Sequence, residues 1–519
     1  MVARPARNAA LTKETRIMRL HAASPDPMPN PVAGIATLDE VLSHNAFRDP
    51  DGRALSNATL PFRGTWRETN RAVSALAETF AGWRLGPDAV VGVQLGSGPE
   101  AALTCLALWR AGLIAALLPL PWRRREMTAA LAAVGAQAVV ARTEAAGGRP
   151  GESACEAAFE LDRLRFVATF GPDAPDGATP LDHLLDSAAP SAGERPDRPD
   201  DAADHVAVIT FDPAATPIAR SHNELVALGL APLLAGRLGG GDRLLSTLDL
   251  AGLPGLATGL APWLVTRATA TFHQPSTLEA LIEAARDATH VALPGRIMER
   301  LVADGAFEGL SPKAVFAAWR APEPRLSAPV AVPGTEMVDV IALGEIALVA
   351  SSRAGPARFA AVPLGPFAPE GLAPLIETRV GPDGRLYARG PVCPANVFAS
   401  PEGAAVAIDA EGFVETGFVG VADRAAGRVM LGGRRRGALQ VGGVSVTQVE
   451  AERAFAAAGI DGSVDLQDDP VLGARLRLTL KPGADALSAD AAALALEEAG
   501  FGPALFPRAV VAEPARRTA

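Results

Sequence analysis

The chain has 519 residues, 49% hydrophobic and 20% charged, with a net charge of −10. This is the composition of a folded protein of three or four domains, or of one large subdivided unit, and it excludes disordered, collagen-like and disulfide-dense classes. No arginine-rich, aromatic-interleaved patch marks a nucleic-acid surface, and Cys105, Cys155 and Cys393 stand too far apart for a zinc site or a disulfide framework, which points to a reducing, cytoplasmic compartment. Of the 48 basic residues only Lys13, Lys313 and Lys481 are lysines.

Residues 1–36 carry five prolines and little periodicity, so they read as a flexible tail. The basic start has no apolar core and is not a secretory signal. Val73, Leu76, Phe80 and Trp83 recur at helical spacing, and Gly86-Pro87 ends that helix. Residues 90–95 read as a buried strand. Ser97-Gly98-Pro99-Glu100 reads as a capping box that opens a helix to Arg110, with Gly112 at its end. A strand over 113–120, a helix from Arg124 to about Val134 and a strand over 136–141 follow. This alternation predicts a doubly wound α/β sheet.

Residues 187–204 read as a solvated linker. A second α/β pattern begins at the strand 206–211, with a helix after His222 and a strand ending at Pro294. Residues 250–266 are uncharged and apolar, but Gly252, Pro254, Gly255, Gly259 and Pro262 break them, so no membrane span is expected. From about 335 to 431 short segments and frequent turns predict a mostly β region, and the last 85 or so residues a small α+β unit. The expected organisation is a tail (1–36), a large N-terminal domain (37–431) and a small C-terminal domain (432–519). The large domain divides at about 37–204, 205–334 and 335–431 into two doubly wound α/β subdomains and a β-rich one.

Several stretches carry a resemblance in the same order along the chain. They are residues 65–86, 90–121 and 288–294, and Gly384-Arg385-Leu386-Tyr387-Ala388-Arg389-Gly390-Pro391. The clearest is Gly433-Arg434-Arg435-Arg436-Gly437-Ala438-Leu439-Gln440-Val441-Gly442-Gly443-Val444-Ser445-Val446 with Val449-Glu450, and Asp469-Pro470-Val471-Leu472-Gly473 and Lys481-Pro482-Gly483 follow it. Together they resemble the acyl-activating, adenylate-forming superfamily of acyl- and aryl-CoA synthetases, luciferases and peptide-synthetase adenylation domains, over about 38–519. The resemblance implies ATP, Mg²⁺ and CoA as cofactors. It also implies an acyl or aromatic acid as substrate and CoA or an acyl-carrier thioester as the thiol partner.

The family's motifs are altered at several points. Its phosphate loop, rich in Gly, Ser and Thr and ending in lysine, falls on residues 210–222. That segment has no glycine and no lysine, and it contains Asp212 and two prolines that lack N–H donors. Thr216 and Arg220 are the candidate phosphate contacts, with a structural loop as the alternative. The Tyr-Gly-x-Thr-Glu motif becomes Leu343-Gly344-Glu345-Ile346-Ala347. Gly344 remains, and Glu345 stands two positions early, either as a displaced metal ligand or as a solvated loop carboxylate facing the other side. The ribose-binding aspartate after Thr416-Gly417 is replaced by Phe418, which cannot accept a hydrogen bond.

Arg434 fits the nucleotide-contacting arginine or is a surface residue of a basic cluster. The hinge falls at Arg436 or Gly437, glycine being a permissive pivot. The C-terminal loop that carries the adenylation lysine would follow Thr518-Ala519, so the chain is expected to be truncated there. Arg516 and Arg517 are the stand-in cations, with a frayed terminus as the alternative. Asp249, Leu250 and Gly252 fall where the family lines its acid pocket. His222 and His290 read as structural.

Three functions follow from the resemblance and its departures. One is a protein of this fold with an eroded ATP site, adenylation weak or absent, that retains acyl or protein-partner binding. The second is an active acid–thiol ligase using rearranged arginines. The third is ATP-independent handling of thioesters.

Overall fold

A computed structural model describes residues 21–22, 28–186, 201–212, 215–275, 277–320, 330–353, 355, 359–398, 406–434, 438–441, 444–469 and 472–512. The first sheet has seven strands in the order Thr179–Pro180, Phe166–Phe170, Ala138–Arg142, Val90–Gln94, Ile114–Leu117, Val206–Phe211 and Pro217–Ser221. All neighbours are parallel except the last pair. The interior strands are short apolar runs buried along their length, as expected of parallel strands covered by helices on both faces. The helix Trp66–Gly82 covers one face and buries Val73, Leu76 and Phe80. The helix Arg124–Val134 lies on the other and packs Met127, Leu131 and Val134 into a second core.

The second sheet has six strands: Thr269–Phe272, Arg243–Ser246, His290–Pro294, Ala314–Arg320, Glu336–Leu343 and Ala347–Ser352. It is parallel until its final hairpin. Strand pairing therefore crosses the boundaries expected from sequence. Val206–Phe211 and Pro217–Ser221 complete the first sheet, and Glu336–Leu343 and Ala347–Ser352 complete the second. Of the expected solvated linker, 187–200 lie outside the described residues and Ala202–Asp204 form a 3-10 turn with Ala202 and Ala203 buried, while the sheet edge is set by which neighbour can satisfy a strand's backbone groups.

A third sheet of six strands, antiparallel at each of its pairings, spans Val362–Pro363 to Arg428–Arg434. The C-terminal unit holds the hairpin Ala438–Val441/Val444–Thr447 and a three-stranded sheet covered by the helices Gln448–Ala457 and Ala489–Glu498.

Two local expectations change. The cap of the helix Pro99–Arg110 is Gly98, with no side-chain cap bond, and the Ser97 hydroxyl instead donates to the carbonyl of His273 at 3.1 Å. Glu100 pairs with Arg142 at 2.6 Å rather than closing a capping box. A helix Pro150–Glu160 and a strand Phe166–Phe170, which the sequence reading did not draw, extend the first sheet. Among the described residues no helix is long and apolar enough to cross a membrane.

Candidate functional site

Parallel strands deliver their following loops to one edge, and ligand sites of open α/β sheets form outside those carboxyl ends. Here the loops after Ile114–Leu117, Arg243–Ser246 and His290–Pro294, together with the end of Ala314–Arg320, converge on a cavity of about 330 Å³. Leu120, Pro254, Ile297 and Ala318 give it apolar walls. Val444 and Leu472 of the C-terminal unit complete them.

Asp249 and Gly252 line this cavity. Leu250, between them, does not: the chain turns at 250–251 and buries it in the main core. The Asp249 carboxylate accepts the N–H groups of Ala251 at 2.9 Å and Leu120 at 3.3 Å. Burial pushes its pKa up, against those two hydrogen bonds and the nearby Arg320 charge.

Glu345 sits in the turn between Glu336–Leu343 and Ala347–Ser352, where Gly344 has φ +64 and so takes the left-handed conformation that glycine tolerates best. From sequence, Glu345 is a displaced metal ligand or a solvated carboxylate facing away. It is neither solvated nor turned away: it is 5% exposed. One carboxylate oxygen accepts the N–H of Leu253 at 3.0 Å, and the other accepts Arg320 Nη1 at 3.0 Å. The turn, not strict alternation, sets its direction.

Arg220 is 1% exposed in the strand Pro217–Ser221. Its Nη2 donates to the carbonyls of Glu345 at 2.7 Å and Ile346 at 2.9 Å, and Nε and Nη1 have no hydrogen-bond partner among the described residues. Burial lowers its pKa, opposed by the Glu224 and Glu345 charges. Its Nη2 therefore ties two sheets together. The Thr216 amide donates to Asp212 at 2.8 Å, which closes the loop on its own carboxylate.

Thr416 is buried and its hydroxyl donates to the Leu386 carbonyl at 2.9 Å. Gly417 has φ +78. Phe418 is 1% exposed within the main core. Arg434 pairs by backbone with Phe418 across the third sheet. Arg436, Gly437, Arg516 and Arg517 lie outside the described residues. His222 accepts the N–H of Leu38, and His290 bonds the Gly236 carbonyl; both are buried and structural.

Sequence reasoning missed Arg320 and Arg296, which both line the cavity. The available signal was positional: Arg320 is a cation ending a strand of a parallel sheet. A second groove of about 750 Å³ runs between the helix Arg124–Val134 and the C-terminal unit, lined by Arg124, Arg125, Arg453 and Phe501. Across it Gly502 N–H donates to Glu126 at 2.8 Å and Arg125 N–H to the Gly500 carbonyl at 3.0 Å.

A family model described as AMP-binding enzyme matches residues 42–391. No curated protein matches the chain. Among solved structures, apo MbtA of Mycobacterium smegmatis is 21% identical with a TM-score of 0.64, over 94% of this chain and 92% of that one. The amide bond synthetase McbA of Marinactinospora thermotolerans is 18% identical with a TM-score of 0.70, over 92% and 96%. A double mutant of o-succinylbenzoate CoA synthetase of Bacillus subtilis, bound to a product analogue, is 15% identical with a TM-score of 0.69, over 91% and 94%. At such identities the likeness is one of fold.

Proposed function

The chain belongs to the AMP-binding enzyme family, and from that premise we propose that it is an acyl- or aryl-CoA synthetase-like protein that holds an apolar acyl or aryl acid in the cavity and adenylates it weakly or not at all. The observation that carries this reading is Glu345. Glu345, two positions before the family's metal-holding glutamate in sequence, already has both oxygens engaged, by Arg320 and by the Leu253 amide. Displacing them would leave a partly buried guanidinium and a buried N–H unpaired, each costly.

The other nucleotide positions fit ATP and Mg²⁺ no better. Phe418 offers no acceptor to a ribose, Arg220 is buried with Nη2 held by two backbone carbonyls, and Asp212 would repel phosphate. Nucleotidyl transfer depends on several charges placed around the reacting phosphate, and the positions of Phe418, Arg220 and Asp212 argue against such a set among the described residues. The apolar walls support an apolar acyl or aromatic acid. The arginine-bearing groove supports CoA or an acyl-carrier thioester as the second ligand, and the isolated cysteines agree with a cytoplasmic setting.

A rival reading, an active acid–thiol ligase with rearranged arginines, is favoured only by Arg296 and Arg320 both lining the cavity. Isothermal titration with ATP–Mg²⁺, with and without candidate acids, separates the two. The expected outcome is no saturable micromolar nucleotide binding and no acid-dependent pyrophosphate release. Saturable micromolar binding with pyrophosphate release overturns the proposal, and thioester turnover without ATP points to the third function.

A further inference from the structure

We propose that Arg320 is the anion anchor of the cavity, receiving the carboxylate of the bound acid. This role presupposes the acyl-binding reading above.

Arg320 is the last residue of the strand Ala314–Arg320, at the carboxyl edge where the cavity opens. A guanidinium presents five N–H donors. Of these, Nη1 is committed to Glu345 at 3.0 Å, while Nε and Nη2 have no hydrogen-bond partner among the described residues. The Nε–Nη2 edge is the one that matches a carboxylate in a two-bond fork. The side chain is 21% exposed and Glu345 is 5% exposed, so the arginine is desolvated enough for a second anion to matter yet reachable from the cavity.

The surroundings keep that edge open. Gly252 lines the cavity beside it, and a Cβ there would stand 2.4 Å from Arg320 Nη2. Any larger residue at 252 would displace the guanidinium or cover it. Asp249, the acid on the cavity wall, accepts the Ala251 and Leu120 amides and makes no hydrogen bond to Arg320 among the described residues. Arg296, the second arginine of the cavity, stands 3.6 Å from Glu299 on its own helix. Leu120, Ile297 and Val444 leave an apolar volume for the hydrocarbon body. The chemistry that fits is a small monocarboxylate, charged at one end and apolar at the other.

The test is isothermal titration of the full chain with hexanoate and with hexanamide, two probes of equal length that differ in charge. Wild type should prefer hexanoate by about tenfold to a hundredfold, the range of a hydrogen bond to a charged group. R320Q should abolish the preference while hexanamide affinity stays within about twofold, and R320K should keep part of it because the charge remains but the fork is lost. The double variant R320Q/E345Q should behave like R320Q, which separates the effect from an unpaired buried Glu345. E345Q alone should raise hexanoate affinity by removing the internal competitor. The proposal is overturned if R320Q keeps the full preference, or if wild type binds both probes equally. If wild type binds neither, the acyl-binding reading fails together with it.

Discussion

Replacing Phe418 by alanine tests whether position 418 is core or ribose cradle. The side chain is 1% exposed, belongs to the main hydrophobic cluster and stands on the inner strand Val414–Asp423 of the third sheet. Truncating a buried phenylalanine costs about 3–5 kcal/mol, the transfer term plus the cavity left behind. F418D should cost more, because it adds the burial of a carboxylate to the loss of the ring. Urea denaturation followed by circular dichroism measures both, and a loss of midpoint at constant slope reports stability alone. A loss below about 1 kcal/mol for F418A would refute the reasoning, since it would mean the ring faces an open cradle. A well-folded F418D that binds ATP would refute it more directly, by showing that a single residue had silenced the site.

The remaining predictions are shorter. R220M should destabilise the fold by about 3–5 kcal/mol in the same urea assay, because it strands the carbonyls of Glu345 and Ile346 and the buried Glu224 carboxylate; a fully stable R220M that merely lost nucleotide affinity would point instead to a phosphate ligand. Burial raises the folded-state pKa of Asp249, so the folded form holds a proton that the unfolded chain has released, and that contribution to stability is lost as pH climbs from the unfolded carboxylate value through the folded one. The stability of D249N relative to wild type should therefore improve as pH rises through that window and then level off, and a pH-independent difference would count against the buried-charge assignment. G252A should weaken binding of hexanoate more than of hexanamide, because its Cβ meets Arg320 Nη2; equal weakening would mean simple filling of the cavity. The thiols of Cys105 and Cys393 are fully buried and pushed up to about 12, whereas Cys155 is partly exposed. Native protein at pH 8 should therefore take up no more than one equivalent of maleimide, and denatured protein three; rapid native labelling of two or more would show that the core opens.

The α/β class, the order of elements and the family were legible in the linear chain. Helical spacing at Val73, Leu76 and Phe80 and apolar strand runs such as 90–94 are local consequences of which faces must be buried, and they survive folding unchanged. The altered motifs were legible for the same reason: Phe418 after Thr416-Gly417 is a fact of register, not of packing. The boundary between the two large sheets was not, because a strand's partner is chosen by distant segments. Val206–Phe211 joins Ile114–Leu117, with other strands of the same sheet lying between them in the chain.

The site itself belongs mostly to the tertiary structure. Sequence grouped Asp249, Leu250 and Gly252 but could not put Asp249 and Gly252 on the cavity and Leu250 in the core, nor bring Arg320 against Glu345 from 25 positions away. Nor could it distinguish Arg220 as a phosphate ligand from Arg220 as a tie between two sheets, since both uses ask for the same residue in the same strand. Composition and periodicity report what each residue needs from its surroundings. Which charge meets which, and which donors are left facing a cavity, is decided only when the two sheets and the C-terminal unit close around the same volume.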